Sequence, residues 1–516
     1  MPGRGGAIPK TSAPYTDFCL GHFAQLDNVT CLNENAGVPD APKSTDYFRC
    51  TMSTLDRSGA RVWARMLLLS VTVALTCTAA EPSRHVVSPI PPDPDIAAAL
   101  REISSVRIQA NIMALVAFGT RSTLSAQDPE SVAVGRGVGA AREWIRRQFE
   151  QYSKDCGGCL EVRTDAFTQP PAERVSQPTN ITNVYAVLKG SDPAMAQRVV
   201  LVTGHYDSRN SDNFDIAHDA PGANDDASGV AVSLECAKVL SKLRPRATII
   251  FLTVAGEEQG LYGSEHFARM ARTENWNIEA VLNNDIVGGN KSPQQDPGVV
   301  RVFSEGLANA PSERQLELLR ALGGENDSPS RELARYIAEI ALSYDTGVKP
   351  LLIFRLDRYL RGGDHSAFNA QGYPAVRFTE YREDFKRQHQ TVRTEGGIEY
   401  GDLPKFVDFD YVARVARLNA ATLAALAAGP APPAHVVILA SKLENDSTLE
   451  WDAAPAASSY EVLWRATSSP DWEHAQEVGS STRVTLPLSK DNVIFAVRAL
   501  DRQGHRSLPV VPEPKR

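Results

Sequence analysis

From Val184 to the 420s the chain keeps changing period, and this alternation limits its possible folds more than any other feature. Apolar runs of strand length are NVYAVL, RVVLVTGH, ATIIFLTVAGEE, IEAVLNND, PLLIF and PAVRFTE. Between them, SGVAVSLECAKVLSKL, GSEHFARMAR and RELARYIAEIAL place their apolar residues at helical spacing. Unbroken apolar strands are buried on both faces, and strand–helix alternation covers those faces with helices. Helical spacing also begins at Ile96, runs across Gly139–Phe149 and returns in FDYVARVARLNAATLAALA before the linker GPAPP. The expected fold is an α/β domain over residues 95–430, with a mostly parallel sheet flanked by helices on both faces. In such sheets ligands sit beyond the carboxyl ends of the strands.

A chain of 516 residues is too long for one core, and its two ends read differently from its middle. After the linker, STLEWDA, SSYEVLWRA, TRVTLPL and NVIFAVRALD are short alternating strands. With Trp451, Tyr460 and the ending VRALDRQGHRS they resemble a fibronectin type III sandwich over residues 434–510. That all-β segment is expected to act as a spacer, a docking module or a fold-stabilising neighbour, without chemistry of its own.

At the amino end, Arg61 and Arg65 precede Met66 and the apolar run LLLSVTVAL, which exits through Thr78-Ala79-Ala80. A basic flank, a short apolar core and a small-residue exit mark an export signal, here residues 66–80. Residues 1–65 then read as an unstructured or untranslated upstream extension, and 81–94, with SPIPPDPD, as a linker. The expected location is periplasmic or extracellular, with no stable membrane span once the signal is removed. Cys77 raises a lipid-anchored form, although Thr76 fits poorly the small residue such signals need. Of the seven cysteines only Cys156, Cys159 and Cys236 lie beyond the signal. Cys156-Gly-Gly-Cys159 suits a small disulfide in an oxidising compartment, and Cys236 reads as core. Net charge of −8 and the lack of a basic cluster argue against a nucleic-acid partner.

Chemistry concentrates at the strand ends. His205 closes LVTGH, with Asp207 two residues on; Asp225 and Asp226 lie in PGANDDASG just before a helix. Glu257 and Glu258 close TVAGEE, Asp285 closes VLNND, His365 lies in RGGDHSAF and His389 in FKRQHQT. Carboxylates mixed with imidazoles suit zinc, and two metals roughly 3.5–4 Å apart need a bridging carboxylate plus ligands for each. Asp207 is placed to hold the second nitrogen of His205, fixing the ring as outer partners of metal ligands do.

GHYDS, PGANDDASG, AGEEQGLYGS, NNDIVG and GGDHSAF, in this order over roughly residues 180–425, resemble the co-catalytic zinc aminopeptidase family. Glutamate carboxypeptidases and glutaminyl cyclases belong to the same group. The resemblance implies two zinc ions. It puts His205 and Asp285 on one, Glu258 and His389 on the other, and Asp225 bridging, with Asp226 outside the first layer. It makes Glu257 the general base. The usual His-Thr pair is interrupted at His389 by Gln390, and His365 is read instead as a pocket or substrate-side residue. Tyr359 and Arg361, upstream of His365, are candidate oxyanion donors.

The expected activity is release of amino-terminal residues from a peptide or protein substrate. A carboxypeptidase would need a basic seat, for which Arg358, Arg361 and Arg377 are candidates. A glutaminyl cyclase would use one zinc, and a metal-free binding or adhesion protein would need none.

Overall fold

The structure, a computed structural model, describes residues 86–516. The export signal, the upstream extension and Cys77 lie outside the described residues. The described residues belong to one compact unit.

The large sheet has eight strands: β1 (Leu160–Gln169), β2 (Thr179–Leu188), β3 (Arg198–His205), β4 (Thr248–Val254), β5 (Asn277–Asn284), β6 (Val299–Ser304), β7 (Lys349–Ile353) and β8 (Ala375–Glu380). Their order is β1-β2-β4-β3-β5-β8-β6-β7. β3 is buried along its whole length, as are β4 and β8. This is why their sequences are unbroken apolar runs rather than alternating ones. The centre β4-β3-β5-β8 is parallel throughout. Towards the edges the pairing reverses, with β1, β2 and β6 antiparallel to their inner neighbours. β1 and β6 were not read in the sequence; β1 is mostly exposed and polar on alternate positions.

The strand period of two divides the core. Val200 and Val202 of β3 face one side with Ile249 and Phe251 of β4. There they meet the helices Pro94–Arg101, Ser105–Val116, Gly137–Asp155, Ala227–Leu240, Pro329–Ser343 and Phe409–Ala428. Val199 and Leu201, with Ile250 and Leu252, face the other side against the helix Tyr262–Thr273. Helices on both faces of a largely parallel sheet are thus present. Cys156 and Cys159 form a disulfide with an S–S distance of 2.05 Å, and Cys236 is buried. No helix among the described residues is long and apolar enough to cross a membrane.

The carboxyl-terminal strands make a four-stranded and a three-stranded sheet. Their shared core includes Leu449, Trp451, Tyr460, Val462 and Phe495, with Trp451 and Tyr460 edge to face. These strands are not a spacer, because the helix Pro329–Ser343 is seated on them. Trp472 Nε1 donates to Glu332 at 2.8 Å, Arg335 Nε to the Pro470 carbonyl at 2.6 Å, and Arg498 Nη1 to Glu339 at 2.8 Å. Nor does the segment before Pro94 run free. Arg506 donates to the Ser88 carbonyl at 2.6 Å, and His505 Nε2 lies 3.0 Å from Asp93 Oδ2.

Candidate metal centre

Parallel register brings the strand-end residues together. His205 pairs across from Val254 of β4, three residues before Glu257, while Thr203 pairs with Asn283 of β5, two before Asp285. The loop Asn224–Asp226 comes over this rim at the start of the helix Ala227–Leu240. Asp226, not Asp225, caps that helix, accepting from Gly229 N at 2.9 Å and from His205 N at 3.0 Å. Its carboxylate is used by the backbone, which leaves Asp225 to face the rim.

Two groups of donor atoms result, each within 4.8 Å of one another: His205, Asp225 and Asp285, and Asp225, Glu258 and His389. Asp225 belongs to both. His205 Nε2 lies 3.1 Å from Asp225 Oδ1 and 3.7 Å from Asp285 Oδ1. His389 Nε2 lies 2.8 Å from Asp225 Oδ2 and 3.2 Å from Glu258 Oε2. His205 Nε2 and Glu258 Oε1 are buried and make no hydrogen bond. Buried polar atoms are ordinarily paired, so two orphans converging with further carboxylate oxygens fit a cation. The donors, nitrogen and oxygen with a shared carboxylate, fit zinc.

Charge tells the same story. Burial acts to raise Asp225, but His389 and His205 outweigh it and hold the carboxyl well below the usual range. Burial acts likewise on Asp285, where Arg377 and His205 prevail. Glu257 differs. Burial raises its carboxyl well above the ordinary value, His205 opposes, and Asp285, Asp364 and Glu258 push it further up. It is the only partly exposed member of the Glu257–Glu258 pair. A partly exposed carboxyl at the rim, raised by burial, is suited to general base and acid work.

The outer partners differ in part from expectation. His205 Nδ1 is 3.1 Å from the Asp207 backbone carbonyl and 3.5 Å from its carboxylate Oδ1. Asp207 Oδ2 instead takes the Thr123 hydroxyl at 2.9 Å and Glu258 N at 3.2 Å, tying the loop after the helix Ser105–Val116 to the ends of β3 and β4.

His365 is fully buried, with Nε2 against the Leu356 carbonyl at 2.8 Å, and so does not face a substrate. It braces the loop that carries Asp357. Tyr359 is 76% exposed with Arg355 over its ring, and Arg361 pairs with Glu383 at 3.2 Å. Neither touches the donor cluster, because their loop turns outward before His365. Arg358 is likewise held by Glu383, at 2.9 Å. Arg377 is buried between Asp285 Oδ2 at 3.0 Å and Asp357 Oδ2 at 3.1 Å. It supports a candidate ligand rather than a substrate.

Sequence reasoning missed four supports besides Arg377. Asp402 takes the backbone N–H groups of Asn224 and Asp225, at 2.9 and 2.7 Å, and burial pushes its carboxyl up to about 7. Gln388 donates to Asp225 Oδ2 at 3.1 Å. Asp364, beside the conspicuous His365, is buried near Asp285 and Asp207, and burial pushes it up to about 7. Arg209 donates through Nε to Glu258 Oε2 at 2.9 Å, with Nη2 2.5 Å from His389 Nδ1. Asp364, Arg209 and Gln388 had a local signal, each within two residues of a motif member, whereas Asp402 had none.

The family pattern of peptidase family M28 matches residues 183–395, the stretch holding all of these donors. A probable zinc metalloprotease of Pyrenophora tritici-repentis is 47% identical over 433 residues, covering 83% of this chain and 88% of that protein. One of Pyricularia oryzae is 48% identical over 446 residues, covering 84% and 87%. Among solved structures, the LapA aminopeptidase of Legionella pneumophila is 21% identical with a TM-score of 0.45, covering 66% of this chain and 77% of that one. That last likeness is too partial to argue from. With nearly half its residues shared over more than four-fifths of its length, the chain belongs to peptidase family M28.

Proposed function

We propose that the chain is an exported zinc metallopeptidase that holds two zinc ions and releases residues from the amino end of peptides. The observation that carries this is Asp225, whose two carboxylate oxygens each face a different histidine-and-carboxylate group. His205 and Asp285 would hold one ion with it, Glu258 and His389 the other. Zinc there would lower the pKa of water and polarise the scissile carbonyl. Glu257 takes the proton of the attacking water and returns it to the leaving amine. Asp207 and Arg377 keep His205 and Asp285 aimed, and Asp402 keeps the Asp225 loop in place.

An amino-end preference is supported by the charges around the site. Arg358, Arg361 and Arg377, the candidate seats for a substrate carboxylate, are all paired with Glu383, Asp357 or Asp285. The surplus of carboxylates suits a free amine instead. Export is supported by the apolar run after Met66 and by the Cys156–Cys159 disulfide, a bond that persists in oxidising compartments.

The deciding experiment supplies purified protein with zinc and compares unblocked peptides with amino-blocked ones that have free carboxyl ends. Release of amino acids from the first set alone supports the proposal. Cleavage of the blocked set alone would make it a carboxypeptidase, and one zinc per chain with ring closure of amino-terminal glutamine a cyclase.

A further inference from the structure

A pocket of about 490 Å³ opens beside the rim, and the chemistry described above does not use it. Its size is that of a ligand site. Its walls come from the helix Tyr262–Thr273, the helix His365–Ala370 and the loop after β6. Leu261, Leu307 and Leu356 give it apolar surface, and Leu307 and Leu356 stay 46% and 42% exposed. Two of these leucines are tied to the rim. Leu261 N donates to the Glu257 carbonyl at 3.0 Å, and the Leu356 carbonyl meets His365 Nε2 at 2.8 Å. Leu261 also holds a left-handed φ of 62°. Glycine takes that conformation without strain, and side chains held in it cluster at ligand clamps.

The charges of this pocket are one-sided. Arg269, its one basic wall residue, is already engaged by Glu265 at 3.1 Å. Glu305 has no such partner: among the described residues its carboxylate makes no hydrogen bond or ion pair. The nearby Arg331 donates through Nε to the Glu305 backbone carbonyl at 3.3 Å and lies over the Phe354 ring. Burial raises the Glu305 carboxyl to about 7, with Arg331 opposing. A half-buried carboxylate beside apolar walls is completed by a positive charge arriving from solvent. A long basic side chain brings both parts, an apolar stem and a charged head.

The proton path decides which part of a substrate reaches this pocket. Glu257 returns its proton to the leaving amine, so that nitrogen stands beside Glu257. Leu261 lies one helical turn further along, about 6 Å away. An extended peptide covers that span in about two residues. Building on the aminopeptidase reading, we propose that the pocket seats a lysine or arginine side chain from the first or second residue after the cleaved bond. The stem lies on Leu261, Leu307 and Leu356, and the head meets Glu305. No bond forms or breaks there. Glu305 therefore sets which peptides are favoured and takes no part in cutting them.

The test measures kcat/KM for unblocked peptides that begin with leucine, above about pH 7, where Glu305 is ionised. Their second and third residues are varied in turn through lysine, arginine, methionine and glutamate. In the natural chain, lysine or arginine at one of these positions should exceed methionine by about tenfold, the effect of one charge-assisted hydrogen bond. Glutamate should fall below methionine. Glu305→Gln should bring the lysine-to-methionine ratio close to one while zinc content stays the same. The series on the natural chain needs no variant, so it decides even if Glu305→Gln folds poorly. Equal values for lysine and methionine at both positions, or a preference for lysine at the released residue alone, overturns the proposal. So does a lysine preference that survives Glu305→Gln. Release from no unblocked peptide sinks the aminopeptidase reading, and this proposal with it.

Discussion

Two regions of this molecule bury charge, and they handle it in opposite ways. Where the helix Pro329–Ser343 meets the carboxyl-terminal strands, Asp327, Glu332, Glu339 and Glu461 face Arg335, Arg465, Arg498 and Arg506. Four acids meet four guanidiniums, and each charge has its counter-charge within the chain. At the rim of the large sheet, six carboxylates, those of Asp207, Asp225, Asp226, Glu257, Glu258 and Asp285, outnumber the basic side chains paired with them among the described residues, Arg209, Arg377, His205 and His389. Uncompensated carboxylates are costly to bury. The first region is complete as it folds; the second needs something positive from outside. An interface and a reaction site can thus be told apart by their charge balance before any ligand is considered.

The sharpest way to break this contrast is Glu257→Gln. If the rim is built for chemistry, kcat/KM should fall by about 10²–10⁴-fold, while zinc content stays the same and the thermal midpoint does not drop. A variant that keeps activity within a few-fold would remove Glu257 from the reaction. Next in size, Arg498→Met should cost about 3–5 kcal/mol in denaturant unfolding, since it strands Glu339 and Glu461 in a buried interface. Activity per folded molecule should be unchanged. Metal chelation should affect both, abolishing activity and lowering the midpoint reversibly, and re-added zinc should restore both.

The smallest effect concerns pH. Burial pushes the Glu332 carboxyl up to about 7 from its ordinary 4.5, with Arg335 and the Trp472 hydrogen bond opposing. Between those values the folded protein keeps a proton that the unfolded chain has released. The contribution of Glu332 to stability is therefore fully present below about 4.5 and lost as pH rises to about 7. The slope is at most about 1.4 kcal/mol per pH unit. Comparing unfolding of the natural chain and Glu332→Gln across this window should show the slope only in the former. Parallel curves would mean that Glu332 is already ionised in the interface.

What the sequence made legible follows from range. His205, Asp225, Glu258 and Asp285 stand directly at strand ends or the helix start, so local pattern placed them on one rim. His389 required the family resemblance, because its loop has no period of its own and its backbone turns through a positive φ of 54°. Arg377 and Asp402 act on residues 92 and 177 positions away, and no local pattern records such pairs. Tyr359 and Arg361, read as oxyanion candidates, lie away from the donor cluster for a related reason. Proximity to His365 in sequence says nothing about which way an irregular loop faces. The parallel centre was readable from β3, β4 and β8, whose runs are apolar throughout, whereas β1 and its polar alternation were not.

The stitching of residues 88–93 to the carboxyl-terminal strands has a practical consequence. Ser88 and Asp93 are held by Arg506 and His505, while Arg465 and Trp472 cover Asp327 and Glu332. The stretch that resembles an appended tail is a keystone. Trimming a gene to the recognisable family segment would remove the partners of Asp327, Glu332 and Glu339 and lay bare the helix face that Arg465, Trp472 and Arg498 cover.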